Sequence, residues 1–506
     1  MSLFPMNLRG TRALLIQSGA AVAVAAIVSG CGSTYRPVVT PINPTGPAAQ
    51  PSSLAVVISS PSPTTAGIAT IIDYSGDTIV AQAPIGPGPL AFSLDETGTV
   101  GYTVNSDGTL TNFPATSQLQ EKNVTYSTLP ASSQSVSLFS PSAGLWVADL
   151  NGNVADVLTG SPETFKLSIP VAATPIEIVG SPLLGQRNYA ISLNNSTTST
   201  LGYDTTCNIA PSTVTQTGEA DSLEIASFTV SARIPLGVCP VYSIQSADSR
   251  RLFVLNRGSD TVTVINSQNN TLNNQCPPPT GCVNQNGQTY FSHPTLPLST
   301  TAVTASGITP PNGTTGMTAV AGPVYGEYIS ATQQLVLSNY DGGTISVIDV
   351  SLDEYGNDSP TFGTTFTIPV GVNPSSVTAL ADGSRAYTSN QADGTVTIVN
   401  LTSHTVEKTL TVVGHPRTVV STSNSLYGKV YVASPDSPYL TIIRTDQDIV
   451  DTTILVEGNI VDVRVSTQNG VAGNSNAMSR RPGAGQPCYL PGAAAEATLA
   501  SCQTLP

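Results

Sequence analysis

Charge is the scarcest property of this chain: only 10% of its 506 residues are Asp, Glu, Lys or Arg, and 18 cations stand against 32 acids, for a net charge of -14. Nucleic-acid binding needs a basic patch, and the sequence has none, so nucleic acid is not an expected partner. Aromatic residues make up 6% with a single Trp, and the only histidines are His293, His404 and His415. General acid–base chemistry therefore has few groups that titrate near neutrality. No GxSxG, HExxH, Walker or GxGxxG motif stands in its proper context, and no cofactor is expected. No CxxC or paired His accompanies the cysteines, which leaves zinc without support. The acidic segments Asp149–Asp156 and Asp353–Asp358 read as turns; the first lacks the glycine position and closing glutamate of a helix–loop–helix calcium site, and no metal is assigned.

What is present is Gly, Pro and β-formers: 43 Gly, 39 Pro and 40% hydrophobic residues set in β-periodic runs, a pattern of folded core and not of disorder. The clearest stretch is Phe366–Asn400, FTIPVGVNPSSVTALADGSRAYTSNQADGTVTIVN. It reads as four short strands, Phe366–Val370, Ser376–Leu380, Arg385–Ser389 and Thr395–Asn400, rich in Val, Ile, Thr, Tyr and Phe. Gly371 with Pro374, Asp382-Gly383 and Asp393-Gly394 punctuate them, and Asp-Gly supplies the positive φ of tight hairpins. A sheet this small cannot bury both faces alone, so a recurring copy implies stacking on neighbours.

Looser copies recur from about Thr78, Val124, Phe165, Thr229 and Val406, and another ends in Gln334–Asn339 and Asp341–Asp349. Long polar insertions run from Asn194 to Asp221 and from Asn269 to about Gly313, and such insertions are expected on one face of a repeat array. Two unassigned strands at Leu54–Ile58 and Ile68–Ile72, with two more at Thr452–Leu455 and Ile460–Val465, would complete one further unit and close a ring without an exposed edge. The reading is all-β: a β-propeller of seven or eight four-stranded blades over 54–467, followed by a loose tail over 468–506.

The N-terminus addresses the compartment. Arg9 and Arg12 precede an apolar run, Ala13–Val28, that is too short and too rich in small residues for a membrane span, so 1–30 reads as a secretory signal. It ends in Val28-Ser29-Gly30-Cys31, which resembles the bacterial lipoprotein signal motif. That resemblance implies a lipidated Cys31 as the new N-terminus and a membrane partner through the lipid, and Gly32 after the cysteine favours outer-membrane sorting. Residues 31–53, rich in Pro, Ser and Thr, read as a tether. Six further cysteines suit an exported disulfide framework: Cys207, Cys239, Cys276, Cys282, Cys488 and Cys502. Proximity favours Cys276 with Cys282 and Cys488 with Cys502, leaving Cys207 with Cys239, among fifteen formal pairings.

The pattern Gly-x-x-Pro, Asp-Gly-Ser-Arg-x-Tyr-x-x-Asn, Gly-Thr-Val-x-x-Ile-Asn resembles the YVTN-type β-propeller repeat of microbial cell-surface proteins. Arg250–Asn266, Arg385–Asn400 and Lys429–Ile443 carry it best. The repeat is also similar to that of lactonase-type seven-bladed propellers. Fold likeness does not choose between binding and catalysis, and two functions are expected from it. The first is a cell-envelope lipoprotein with a non-enzymatic propeller that binds or scaffolds a protein or glycan through its insertions. The alternative is an exported lactonase-type hydrolase at the channel mouth, for which His415, Arg417, Arg385 and Glu327 are the nominees. Arg385 and Arg251 hold equivalent positions, which also suits inter-blade packing. No oligomeric state is specified. Replacing Cys31→Ala is expected to move the protein from the membrane fraction to the soluble fraction, read by fractionation; retention in the membrane would contradict the lipid anchor.

Overall fold

Runs such as TVTIVN, alternating Thr and Val, suit strands paired on both edges and covered on both faces. They are used that way in the computed structural model, which describes residues 53–62, 64–95, 97–130, 135–140, 144–180, 187–194, 217–298 and 321–467. These residues form eight antiparallel meanders, or blades, arranged as a β-propeller. Strands are lettered A to D from the inside of each blade outward. The A strands of blades 2 to 8 are Pro89–Leu94, Ser135–Phe139, Pro175–Gly180, Pro240–Gln245, Pro323–Ile329, Pro374–Ala379 and Thr418–Ser421. In blade 1 the A strand is Asn459–Thr467, followed by Ser53–Ser60 (B), Ala66–Asp73 (C) and Thr78–Pro87 (D). Each A strand touches the next, and that of blade 1 touches those of blades 2 and 8, so the ring is closed.

The count of eight decides between the two numbers that the sequence allowed, and three details differ from expectation. Closure joins one C-terminal strand to three N-terminal strands, with Val57 opposite Val463, and not two to two; Ile449–Leu455 is the D strand of blade 8. The template stretch straddles a seam, since Thr365–Pro369 is the D strand of blade 6 and Pro374–Ala379, Arg385–Asn390 and Thr395–Asn400 are A, B and C of blade 7. Hairpin signals repeat with the same period whichever strand begins the unit, so periodicity cannot locate the seam.

The insertions also leave from different places. The first begins after the B strand of blade 4, Arg187–Ser192, and its residues 195–216 lie outside the described residues. The second is divided by Thr295–Pro297, which returns to pair with the C strand of blade 5, Thr261–Asn266. Its first part therefore interrupts the outer strand of blade 5, at the end of the blade opposite the B–C turns. The expected Cys276–Cys282 bridge is present there, and Cys239 is disulfide-bonded. Cys31, Cys207, Cys488 and Cys502, with the signal, tether and tail, lie outside the described residues.

Apolar side chains fill the spaces between neighbouring blades; Trp146, Phe253, Tyr387 and Tyr431 are fully buried there. Cations at the start of three B strands tie each blade to the C–D turn of the next. Arg251 meets Asp358, Arg385 meets Asp448, and Lys429 meets Asp77. The packing role foreseen for Arg251 and Arg385 is thus where the structure puts them.

The repeat signature has a physical core. In blades 2, 5, 6 and 7 the B strand ends in a buried Asn whose Nδ2 donates to two hydroxyls at the start of strand C, five and seven residues on in blades 5, 6 and 7 and four and six on in blade 2. Asn105 reaches Thr109 at 3.0 Å and Thr111 at 2.8 Å, and Asn390 reaches Thr395 at 3.0 Å and Thr397 at 2.8 Å. Asn256 and Asn339 repeat the arrangement with Thr261 and Thr263 and with Thr344 and Ser346. The turn between is closed by a positive φ, 64° at Gly394. The Gly of Gly-x-x-Pro leaves room for the same Asn: a Cβ on Gly371 would stand 2.5 Å from Asn390 Cγ. Pro374, three residues on, pairs opposite Asn390. In blade 3 the corresponding places hold Asp149 and Asp156, and burial, with the charge of Asp149, pushes the Asp156 carboxyl up to about 6.

Asn390→Ala should lower unfolding free energy by about 1–3 kcal/mol, the usual effect of breaking buried hydrogen bonds. Gly371→Ala should also destabilise, through its clash with Asn390. Because the two residues occupy one space, the double variant measured by denaturant unfolding should lose less than the sum; additivity within about 0.5 kcal/mol would show that they act separately.

Candidate functional site at the inner end of the blades

Side chains on the A strands meet at the middle of a propeller, and several here are charged or hydroxylic although almost wholly buried. Glu177 lies on blade 4, Ser243 on blade 5, Glu327 on blade 6, Thr378 on blade 7, Ser421 on blade 8, and Asp462 and Arg464 on blade 1. Arg417, just before the A strand of blade 8, is buried with them. The strands that carry these residues have β-branched or aromatic neighbours, as in PIEIVG, PVYGEYI and NIVDVRVST, and the apolar neighbours hold the sheet while the polar residue faces inward.

The polar groups form a belt around the ring. Ser243 Oγ donates to Glu177 Oε2 at 2.7 Å. Glu327 Oε2 accepts from the Ala379 N–H at 2.9 Å and the Thr378 hydroxyl at 3.3 Å, and Thr378 Oγ1 lies 3.1 Å from Ser421 Oγ. Arg417 Nη2 donates to the Val461 carbonyl at 2.7 Å. Arg464 pairs with Asp462 at 3.1 Å, both side chains only 1% exposed, and also donates to the Tyr325 hydroxyl. Tyr325 is on blade 6 and its ring packs against Tyr242 of blade 5, with centroids 4.6 Å apart. Arg464 thus reaches across the middle of the ring from blade 1 to blade 6.

Burial controls the protonation of this cluster. It pushes the Glu327 carboxyl up to about 7, against the pull of the Ala379 N–H, the Thr378 hydroxyl and the Arg464 charge. Burial likewise raises Asp462 to about 6, opposed by Arg464 and Arg417, and lowers Arg417. Chemically, the cluster holds a carboxyl poised near neutrality beside a guanidinium; Glu327 Oε2 is taken by the Ala379 N–H and the Thr378 hydroxyl, while Glu327 Oε1 and Arg417 Nε are buried without a hydrogen-bond partner.

Of the four sequence nominees, Glu327 and Arg417 are in this cluster. The other two are elsewhere: Arg385 bridges to Asp448, and His415 Nδ1 lies 2.6 Å from Asp436 Oδ2, with the His415 N–H donating to Asp436 Oδ1 at 2.9 Å. Sequence reasoning missed Asp462, Arg464, Glu177, Ser243 and the two tyrosines. The available signal was a charged residue inside a short β-branched strand, shortly after the Pro that opens the A strand in Glu177 and Glu327.

A second polar centre ties down the insertion. Asp358, buried in the C–D loop of blade 6, accepts from Asn273 Nδ2 at 2.7 Å and from the His293 N–H at 3.0 Å, and pairs with Arg251. The His293 ring stacks on Phe362 with centroids 5.3 Å apart. The sequence reading of 353–358 as an acidic turn holds for Asp353, which accepts from the Tyr355 and Asn357 N–H groups, whereas Asp358 belongs to the clasp.

No known family matches this chain, and no curated protein does so. Solved structures match its shape. AztD from Citrobacter koseri in its apo form aligns over 82% of this chain and 97% of its own, at 12% identity and a TM-score of 0.52. A second crystal structure of Citrobacter koseri AztD gives 11% identity and a TM-score of 0.51 over the same shares. The dihydro-heme d1 dehydrogenase NirN, in complex with DHE, aligns over 85% of this chain and 80% of its own, at 15% identity and a TM-score of 0.53. The shared feature is the fold, a β-propeller.

Between the ordinary glutamate value of 4.5 and about 7, the native state keeps a proton on Glu327 that the unfolded chain has released. Native protein then binds more protons than unfolded protein, so this residue makes stability fall as pH rises through that window. Glu327→Gln removes the titration. Thermal midpoints of the variant measured from pH 4.5 to 7 should fall less, or rise more, than those of the parent; parallel curves would show that Glu327 titrates as an ordinary glutamate.

Proposed function

We propose that this chain is a cell-envelope lipoprotein, held by a lipid on Cys31, whose non-enzymatic propeller binds or scaffolds a protein or glycan. The observation that carries the reading is the clasp between the insertion of blade 5 and the long C–D loop of blade 6. Asp358 fastens it through Asn273, His293 and Arg251, the Cys276–Cys282 bridge closes its small hairpin, and Asn286 Nδ2 reaches Glu354 Oε1 at 3.3 Å. Side chains at its tip stay outside the core: Val283 is 67% exposed and Tyr355 41%. Loops locked before binding lose little entropy on binding, which suits recognition.

The lactonase-type reading draws support from Glu327, a carboxyl near neutrality beside Arg464. A catalytic acid or base must reach its substrate, and Glu327 is 3% exposed with Oε2 engaged by Thr378 and Ala379. His415 and Arg385 are engaged by Asp436 and Asp448. These pairings favour a structural role for the cluster.

Two measurements on the full chain separate the readings. Photo-crosslinkers placed at Val283 and Tyr355 in cells, together with a glycan array, should give a discrete adduct or glycan signal that is absent when the crosslinker stands at a buried position such as Val463. On a lactone panel no turnover is expected, and His415→Ala should change nothing. Turnover that disappears in Glu327→Gln or Arg417→Ala would overturn the non-enzymatic reading.

A further inference from the structure

A cleft of about 290 Å³ lies between blades 2 and 3, away from both the inner cluster and the clasp. Asp95 and Thr97 from the A–B turn of blade 2, Tyr102 from its B strand (Val100–Asn105), and Ser140, Thr159 and Glu163 from blade 3 line it. Its volume is at the lower end of the ~300–1,000 Å³ usual for small-molecule sites.

Glu163 opens the D strand of blade 3, Glu163–Pro170, just past a tight hairpin in which it pairs with Gly160. That position turns its side chain inward, and the residue is 6% exposed. One oxygen, Oε1, accepts from Asn112 Nδ2 at 2.6 Å, while Oε2 is buried with no hydrogen-bond partner. Asp95 is in a different state: its Oδ1 accepts from the Thr99 and Val100 N–H groups at 2.7 and 2.8 Å, and Oδ2 accepts from Thr97. The carboxylate left with capacity in the cleft is therefore that of Glu163.

Among the described residues, a Lys or Arg meets the buried acid at Asp358, Asp341 and Asp462, whereas Asp149 takes backbone N–H groups and Asp156 the Ser168 hydroxyl. The residues lining this cleft include no Lys or Arg. A buried carboxylate with an unmet oxygen is costly, and a cation brought by a ligand would relieve that cost. Tyr102 adds a second polar handle. Burial, with the charge of Glu163 and a hydrogen bond from the phenol to that carboxylate, pushes the phenol up to about 12, so it stays protonated as a donor in the cleft.

We propose that this cleft binds a small organic cation, an ammonium or guanidinium compound, with Glu163 as its counter-charge and the hydroxyls of Tyr102, Ser140 and Thr159 as polar contacts. The site does not depend on the binding role assigned to the clasp, which is on other blades. Among the described residues, no three acidic, His or Cys side chains are gathered here as a metal cage would need.

Calorimetric titration of the full chain tests it with agmatine and ethanolamine as cations, glycerol and glucose as neutral polyols, and acetate as an anion. At least one cation should bind, the polyols and acetate should not, and Glu163→Gln should weaken the cation by about tenfold or more. Thr97→Trp, placed at the exposed rim, should block entry without touching the buried carboxylate, and decides the matter if Glu163→Gln fails to fold. Failure of both cations to bind would overturn the proposal. So would equal binding of glycerol or glucose, or cation binding that survives both variants, which would be no more than the attraction of an acidic protein for cations.

Discussion

A buried asparagine amide shared by two hydroxyls is the contact on which each regular blade depends. Nδ2 of Asn390 ties the end of strand B to the first and third residues of strand C, and it does so inside the sheet, where an unmet amide would be costly. Three other features follow from it. The turn between the strands must be short and carry a positive φ, supplied by Gly394 in blade 7 and Asp260 in blade 5; the strand C start carries Thr or Ser at alternate places; and in blade 7 the approach from the preceding blade is a glycine, because Gly371 faces the asparagine directly. Pro374 can stand opposite because strand A begins there. The repeat motif is one packing unit written in four separated places.

Stacking eight blades in a closed ring brings the inner strands together and removes water from whatever they carry. The few charges placed there must then find one another. Arg464 answers Asp462 and Tyr325 across the ring, Glu327 takes backbone and hydroxyl donors from blade 7, and Ser243 serves Glu177. The scarcity of charge in the whole chain has its counterpart here: cations are spent on inter-blade bridges at Arg251, Arg385 and Lys429 and on the inner cluster, with few left over. Function in such a molecule is expected where the repeat is broken, and the clasp around Asp358 and the cleft beside Glu163 are two such places.

Much of the fold was legible in the residues. Period-2 runs, Asp-Gly turns and the Gly-x-x-Pro spacing report local geometry, and local geometry depends on near neighbours. The Cys276–Cys282 bridge was legible for the same reason, being six residues apart. The position of the blade seam was not, because D–A and A–B connections carry similar turn signals. The three-to-one closure and the division of the second insertion by Thr295–Pro297 were also out of reach, since both are pairings between strands far apart along the chain or separated by an insertion.

For the candidate site, Glu327 and Arg417 were nominated from sequence, while His415 and Arg385 were nominated with them and stand elsewhere. The sequence by itself determined that the chain is built of repeated four-strand units able to close a ring, because strand and turn preferences are properties of short segments. Only the tertiary structure decided which charges meet. Arg464 and Tyr325 are separated in sequence by nearly three blades, and a contact across a closed ring depends on the number of blades and the register of closure, neither of which any single segment encodes.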